Sequence, residues 1–173
     1  LLTLRHASET GRWVASEAQR VALYQQLLPA VDAVDIELLS EGASEVASAA
    51  KQLGKVVVLS HHNSELTPSV AALDALYEQA KALGADIFKV ACMAHQAGDV
   101  ATLSAFLLRH RADNVVVIGM GGAGVSTRVF FPLLGSLFAF ACLETAVAPG
   151  QLPVAQLQHI WREMGVAVLE AGG

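Results

Sequence analysis

Lys89 stands in Asp86-Ile87-Phe88-Lys89-Val90-Ala91, an apolar run of the kind that forms a buried strand. An ammonium placed there loses its water, and desolvation penalises the charged form. A neutral buried amine is a nucleophile whose natural reaction is with a ketone or aldehyde, giving an imine. The bland alternative is a strand-end lysine that snorkels to water or pairs with Asp86. Lys51, Lys55 and Lys81 fall near helix ends or turns, where a solvated charge is ordinary. Glu37 and the pair His61-His62 end two further apolar runs. A carboxylate bonded to an imidazole fixes its tautomer and raises its basicity, so His62 backed by Glu37 is a candidate general acid and base. Strand alternation points His61 and His62 to opposite sides, leaving one of them for the site. A metal centre would need three or four convergent ligands, of which Glu37 and the two histidines could supply part. His6, His95, His110 and His159 read as surface residues.

Met120-Gly121-Gly122-Ala123-Gly124 reads as a glycine-rich loop after a strand, and Arg128 follows it. Such a loop can cradle phosphate, but without a following Lys-Ser or Lys-Thr it is no Walker loop. An arginine fork suits a carboxylate through paired hydrogen bonds. A surface salt bridge is the other reading of Arg128.

The elements that must carry these residues alternate along the chain. Strands are expected at residues 1–5, 34–38, 56–59, 87–91, 115–120 and 137–141. Between them fall helices from the capping box at Ser16 through Leu28, over 44–53 with Gly54 behind it, and from Thr67-Pro68 to Gly84. Further helices are expected over 99–110, 127–134 and from Pro153 to Gly165. Continuous apolar strands imply burial on both faces, hence a parallel sheet. The absence of GxGxxG after the first strand disfavours a dinucleotide fold. The reading is therefore an α/β chain carrying the last six βα units of a (βα)8 TIM barrel, with the first two units missing. Six units alone would leave two raw sheet edges. An open doubly wound sheet is the alternative architecture.

The bulk properties agree with one domain. The chain has 173 residues, 54% of them apolar and 16% charged, with a formal charge of −5. That charge argues against a broad nucleic-acid surface. No uninterrupted apolar stretch reaches the ~18 to 20 residues needed to span a bilayer. Cys92 and Cys142 lie in apolar surroundings and read as reduced core residues of a cytosolic protein.

Taken in order, several segments resemble the type I 3-dehydroquinate dehydratases of the shikimate pathway. They are Leu2-Thr3-Leu4-Arg5, Asp35-Ile36-Glu37-Leu38, Ser60-His61-His62-Asn63-Ser64 with Thr67-Pro68, the Lys89 run, Met120 through Arg128, and Ala148-Pro149-Gly150-Gln151. The resemblance implies dehydration of 3-dehydroquinate to 3-dehydroshikimate through an imine on Lys89, with no cofactor and no metal. It implies that His62 is the acid and base and that Glu37 orients it. Arg5, Arg128 and Gln151 would bind substrate, Arg128 at its carboxylate, and Met120 and Phe140 would line the pocket. It implies a cytoplasmic homodimer without nucleic-acid or membrane partners. Val147 stands where the family usually has serine, and His61 where relatives often have asparagine. The Glu-x-Arg that the family carries at the end of its second strand is absent from this chain. Two other readings are a metabolite-binding homologue without catalysis and a different imine-forming barrel enzyme, such as an aldolase of sugar phosphates.

Overall fold

The computed structural model describes residues 1–166. Five strands form one sheet: β1 (Leu2–Thr3), β2 (Ala33–Glu37), β3 (Val56–Asn63), β4 (Ile87–Met93) and β5 (Val115–Met120). Every pairing is parallel, and the strands lie in chain order. A doubly wound sheet reverses its strand order at a switch point. This sheet has no reversal, so the open alternative is excluded for these strands.

Six helices accompany the sheet: α1 (Glu17–Leu27), α2 (Ala43–Gln52), α3 (Val70–Ala82), α4 (Ala97–Arg109), α5 (Gly121–Leu134) and α6 (Val154–Glu163). The capping box at Ser16 is formed in full, with Gln19 reaching back to the Ser16 backbone. Gly54 and Gly84 end α2 and α3 in the left-handed conformation that favours glycine.

Alternation along the strands separates two faces. Val57, Leu59, Phe88, Val90, Val115 and Val117 pack with helix residues such as Tyr24, Leu73, Leu103 and Phe106 in the main core. The opposite face carries Ala91, Val116, Ile118 and Met120, covered by Phe138 and Phe140. Residues paired in register share a face. Asp35 therefore lies beside Val58, Glu37 beside Ser60, Ser60 beside Lys89, and His62 beside Ala91. All the polar members of these rows project to the side away from the main core.

Four expectations change. Residues 137–141 form no strand among the described residues. Leu137 N–H donates to Val115 O at 2.9 Å, but the next free β5 donor, Val117 N–H, goes to the Ser136 hydroxyl at 3.1 Å. That side-chain acceptor takes the place of a ladder partner, and Phe140 O is spent on Arg128. The glycine-rich segment is not a loop but the first turn of α5. Thr67-Pro68 precedes α3, whose cap is Ser69 accepting from Ala72 N–H. α4 begins at Ala97, two residues earlier than expected, because Gln96 and Asp99 form a capping box there.

Candidate active site

Lys89 lies in mid-strand on β4, 7% exposed. Its Nζ donates to Asp35 Oδ2 at 2.8 Å and sits 4.5 Å from the centre of the Phe140 ring. The expected alternative partner, Asp86, is bonded to Lys51 and to Val57 N–H instead. Burial lowers the pKa of Lys89 below the usual lysine value. Asp35 works against that shift and Arg5 adds to it. The amine is thus buried as the sequence implies, but it faces a carboxylate that the sequence reading did not assign to it.

Asp35 is the hub of this site. Besides Lys89 it accepts from Arg5 Nη2 at 2.7 Å and from Ser60 Oγ at 2.6 Å. Burial alone would raise its pKa, but the charges of Lys89 and Arg5 and the hydrogen bonds outweigh burial and hold it at about 2. Its backbone is fixed as well, since Tyr24 OH donates to Asp35 O at 2.8 Å while accepting from Leu4 N–H.

His62 has a different partner from the one expected. Its Nδ1 lies 2.8 Å from Glu9 Oε2, and its backbone N–H donates to the same oxygen at 2.9 Å. An ionised carboxylate only accepts, so Nδ1 carries the proton and Nε2 is left for a reactant. Burial lowers the pKa of His62. Glu9 opposes the shift through its hydrogen bond and its charge, while Arg5 and Lys89 add to it. Glu37 does not reach the imidazole, because its oxygens are committed. One accepts from Arg20 Nη1 at 2.5 Å, the other from His6 N–H at 2.7 Å with Arg5 Nη1 3.4 Å away. Arg20 is itself buried and held by Glu17. The result is an alternating chain of charges, Lys89–Asp35–Arg5–Glu37–Arg20–Glu17, that ties β2, β4 and the segment after β1 to α1.

The remaining candidates cluster around Phe140. Arg128, buried on α5, donates to Phe140 O at 3.1 Å and to Pro149 O at 3.2 Å. No carboxylate pairs with it among the described residues, its Nε is buried without a partner, and burial lowers its pKa. Phe140 thus has Lys89 on its ring and Arg128 on its carbonyl. Met120 is buried at the end of β5. Gln151 turns inward on its own loop, accepting from Val147 N–H at 2.9 Å, while Val147 is exposed. Arg5 is bound to protein groups, Asp35 and Ser60, with a small part of its side chain in solvent.

Several assignments are new. Glu9 sits on a 3-10 turn, Ala7–Glu9, where no periodicity marks it. The only trace in the sequence is its place four residues past the strand-end Arg5. Asp35 could have been found: acidic residues at 35 and 37 in a buried strand must share a face. His110, read as surface, is buried between Asp74 and Asp113 and stacks on Tyr77. No cluster of three or more His, Cys, Asp or Glu suited to a metal occurs among the described residues. An open cavity of about 650 Å³ between α5 and α6 has Phe140 in its wall but no titratable lining group.

The family model for type I 3-dehydroquinase matches residues 1–167. The 3-dehydroquinate dehydratase of Thermodesulfovibrio yellowstonii is 34% identical over 166 residues, covering 96% of this chain and 73% of the relative. The crystal structure of 3-dehydroquinate dehydratase from Geobacillus kaustophilus superposes with a TM-score of 0.88 at 30% identity, over 94% of this chain and 66% of that one. The type I enzyme from Clostridium difficile, solved with covalently modified comenic acid, gives 0.86 at 26% identity over 94% of this chain and 66% of that chain. This chain thus spans just under two thirds of either solved chain, and its five-stranded parallel sheet corresponds to part of their barrel. With its matched residues running through every element that holds Lys89, Asp35, His62 and Arg128, the chain belongs to the type I 3-dehydroquinase family.

Proposed function

We propose that the protein dehydrates 3-dehydroquinate to 3-dehydroshikimate through an imine on Lys89, as a step of the shikimate pathway. The observation that carries this reading is a buried amine beside a carboxylate, on the same sheet face as a carboxylate-held imidazole. At rest the Lys89 nitrogen is paired with Asp35. Passing its proton to Asp35 frees the lone pair for attack on the ketone, and the hydroxyl of the adduct leaves as water with that proton, giving the protonated imine. The imine nitrogen draws electrons from the neighbouring carbon, so Nε2 of His62 takes a proton there. The electron pair then returns from the enamine and expels the hydroxyl, which leaves as water with the proton from His62. Hydrolysis restores the amine. The balance is one water lost per substrate.

Arg128 supports the reading from the substrate's other end. A buried guanidinium with no acidic partner is suited to an incoming carboxylate, and binding there fixes the reacting carbon relative to His62. Glu9, rather than Glu37, is the positioning group for His62. Glu37 instead keeps Arg5 and Arg20 in place. Met120 and Phe140 form the apolar wall, and Gln151 belongs to a loop that can close over the substrate. An aldolase reading is disfavoured by α5, whose first N–H, Gly121, is taken by Pro149 O at 3.2 Å rather than left for phosphate. No described helix is long and apolar enough to cross a membrane. A cytoplasmic homodimer remains part of this reading, for which sedimentation gives the subunit count.

The reading expects an eight-unit barrel around the site, so turnover is assayed on the full-length protein. Borohydride added with 3-dehydroquinate should fix a reduced adduct on the peptide containing Lys89, seen by mass spectrometry. Turnover without any trapped adduct overturns the imine.

A further inference from the structure

We infer that His61 is a positioning residue of the proton-transfer site: it shares Glu9 with His62, and its charge decides how far Glu9 can support a His62 imidazolium. The inference rests on the proposed role of His62, and its test is chosen to separate the two.

His61 belongs by alternation to the face of β3 turned toward the main core, yet its Nδ1 approaches the carboxylate carried by the 3-10 turn. Its Nδ1 lies 4.0 Å from Glu9 Oε1, while the other carboxylate oxygen takes His62 at 2.8 Å. The His61 Nδ1 atom is buried and has no hydrogen-bond partner. Glu9 Oε1 accepts no hydrogen bond among the described residues. A separation of 4.0 Å is too long for a hydrogen bond and short enough for an ion pair. An orphaned ring nitrogen therefore faces an unused carboxylate oxygen, and protonation of His61 would turn that vacancy into a contact.

One carboxylate cannot neutralise two imidazolium rings. While His61 is neutral, the whole charge of Glu9 is available when His62 takes a proton from substrate. Once His61 is protonated it claims that charge and places a second cation beside His62. The other charges acting on His62 are Arg5 and Lys89, and both already oppose proton uptake there. No further acid is paired with either ring among the described residues. Protonating His61 therefore weakens His62 as a base, and the acid limb of activity should contain two protonations rather than one.

The test follows the imidazole resonances of the full chain by NMR across pH, with His61→Asn beside the unaltered protein. In the unaltered protein each ring should show a second inflection when the other titrates. In His61→Asn the His62 curve should become single, with its midpoint moved upward by about half a pH unit or more. The acid limb of log kcat/KM should show two inflections in the unaltered protein and one in His61→Asn. Independent single curves in the unaltered protein overturn the inference, and that measurement needs no variant to fold. Coupled curves with a turnover profile that ignores them uphold the shared carboxylate and refute the role of His62 in turnover.

Discussion

At the scale of single residues the site is governed by the pair of Lys89 and Asp35. A lone buried ammonium would lose its proton to relieve desolvation. Here Asp35, 2.8 Å away, holds it, and Arg5 shares the same carboxylate. Asp35→Asn leaves two cations near one another without their counter-charge, and breaking a buried pair in this way costs about 3–5 kcal/mol. Urea unfolding should show that loss, and Lys89→Met in the same background should recover part of it, since one unpaired cation is gone. Equal instability of the single and double variants would dismiss the pairing as the cause. His62→Ala should cut kcat by about 10²–10⁴, the usual contribution of a positioned acid and base. Borohydride should still trap the imine on Lys89 in that variant, because in the proposed sequence His62 acts after the carbon–nitrogen bond forms. A variant that traps nothing would move His62 to the condensation step. The sequence made the burial of Lys89 and the strand position of His62 legible through their places in apolar runs. It hid Glu9, because a carboxylate on an irregular turn has no pattern to betray which imidazole it will meet. It misdirected Glu37, whose strand-end position says nothing about the Arg20 side chain arriving from α1.

The elements most legible in the sequence were those whose signals are local. The capping box at Ser16 and the valine-rich strands depend on neighbours within a few residues. The glycine run after β5 was harder, because Gly124 serves packing rather than a turn. A Cβ on Gly124 would collide with the Gly119 backbone, so α5 lies directly on the strand that precedes it. Thr127 Oγ1 locks the contact, accepting from Gly119 N–H at 2.8 Å and donating to Gly124 O at 2.7 Å. This close approach brings Arg128, the next residue on α5, beneath Phe140. Gly124→Ala should destabilise the fold by about 1–3 kcal/mol through overpacking. Gly122 lies in the same turn with open space around it, and its replacement by alanine should stabilise by up to about 1 kcal/mol. Chemical denaturation of the two variants checks both signs, and equal effects would mean that helix propensity, not packing, chose these glycines. The missing strand at 137–141 has a similar lesson. Its apolar composition suits a strand, but a ladder needs free partners, and Ser136 and Arg128 have already taken the polar groups that one would use.

Across the whole molecule the alternating charges act as a pH-dependent tie between β2, β4, the segment after β1 and α1. Asp35 has a folded pKa held at about 2, below its ordinary value of 3.8. A carboxyl with a depressed folded pKa stabilises the protein above its unfolded pKa, and that contribution is lost as pH falls through the folded one. Glu17 is shifted the same way: burial works upward but is outweighed by Arg20. His62 has a lowered pKa because of its burial, so the unfolded chain binds its proton first. Stability therefore drops as pH falls through the window just below 6.5, the ordinary histidine value. Lys89 has the same sign at the alkaline end. With its folded pKa lowered by burial, stability should rise as pH climbs toward 10.5, where the unfolded lysine also loses its proton. The urea midpoint should accordingly decline in two steps on acidification, one below pH 6.5 from His62 and one between 3.8 and about 2 from Asp35. Asp35→Asn should shrink the lower step to the share that Glu17 contributes, and leave the upper one. A wild-type midpoint that holds level through the lower window would mean that Asp35 is not bound to its cations in solution, and the tie between the strands would have to be sought elsewhere.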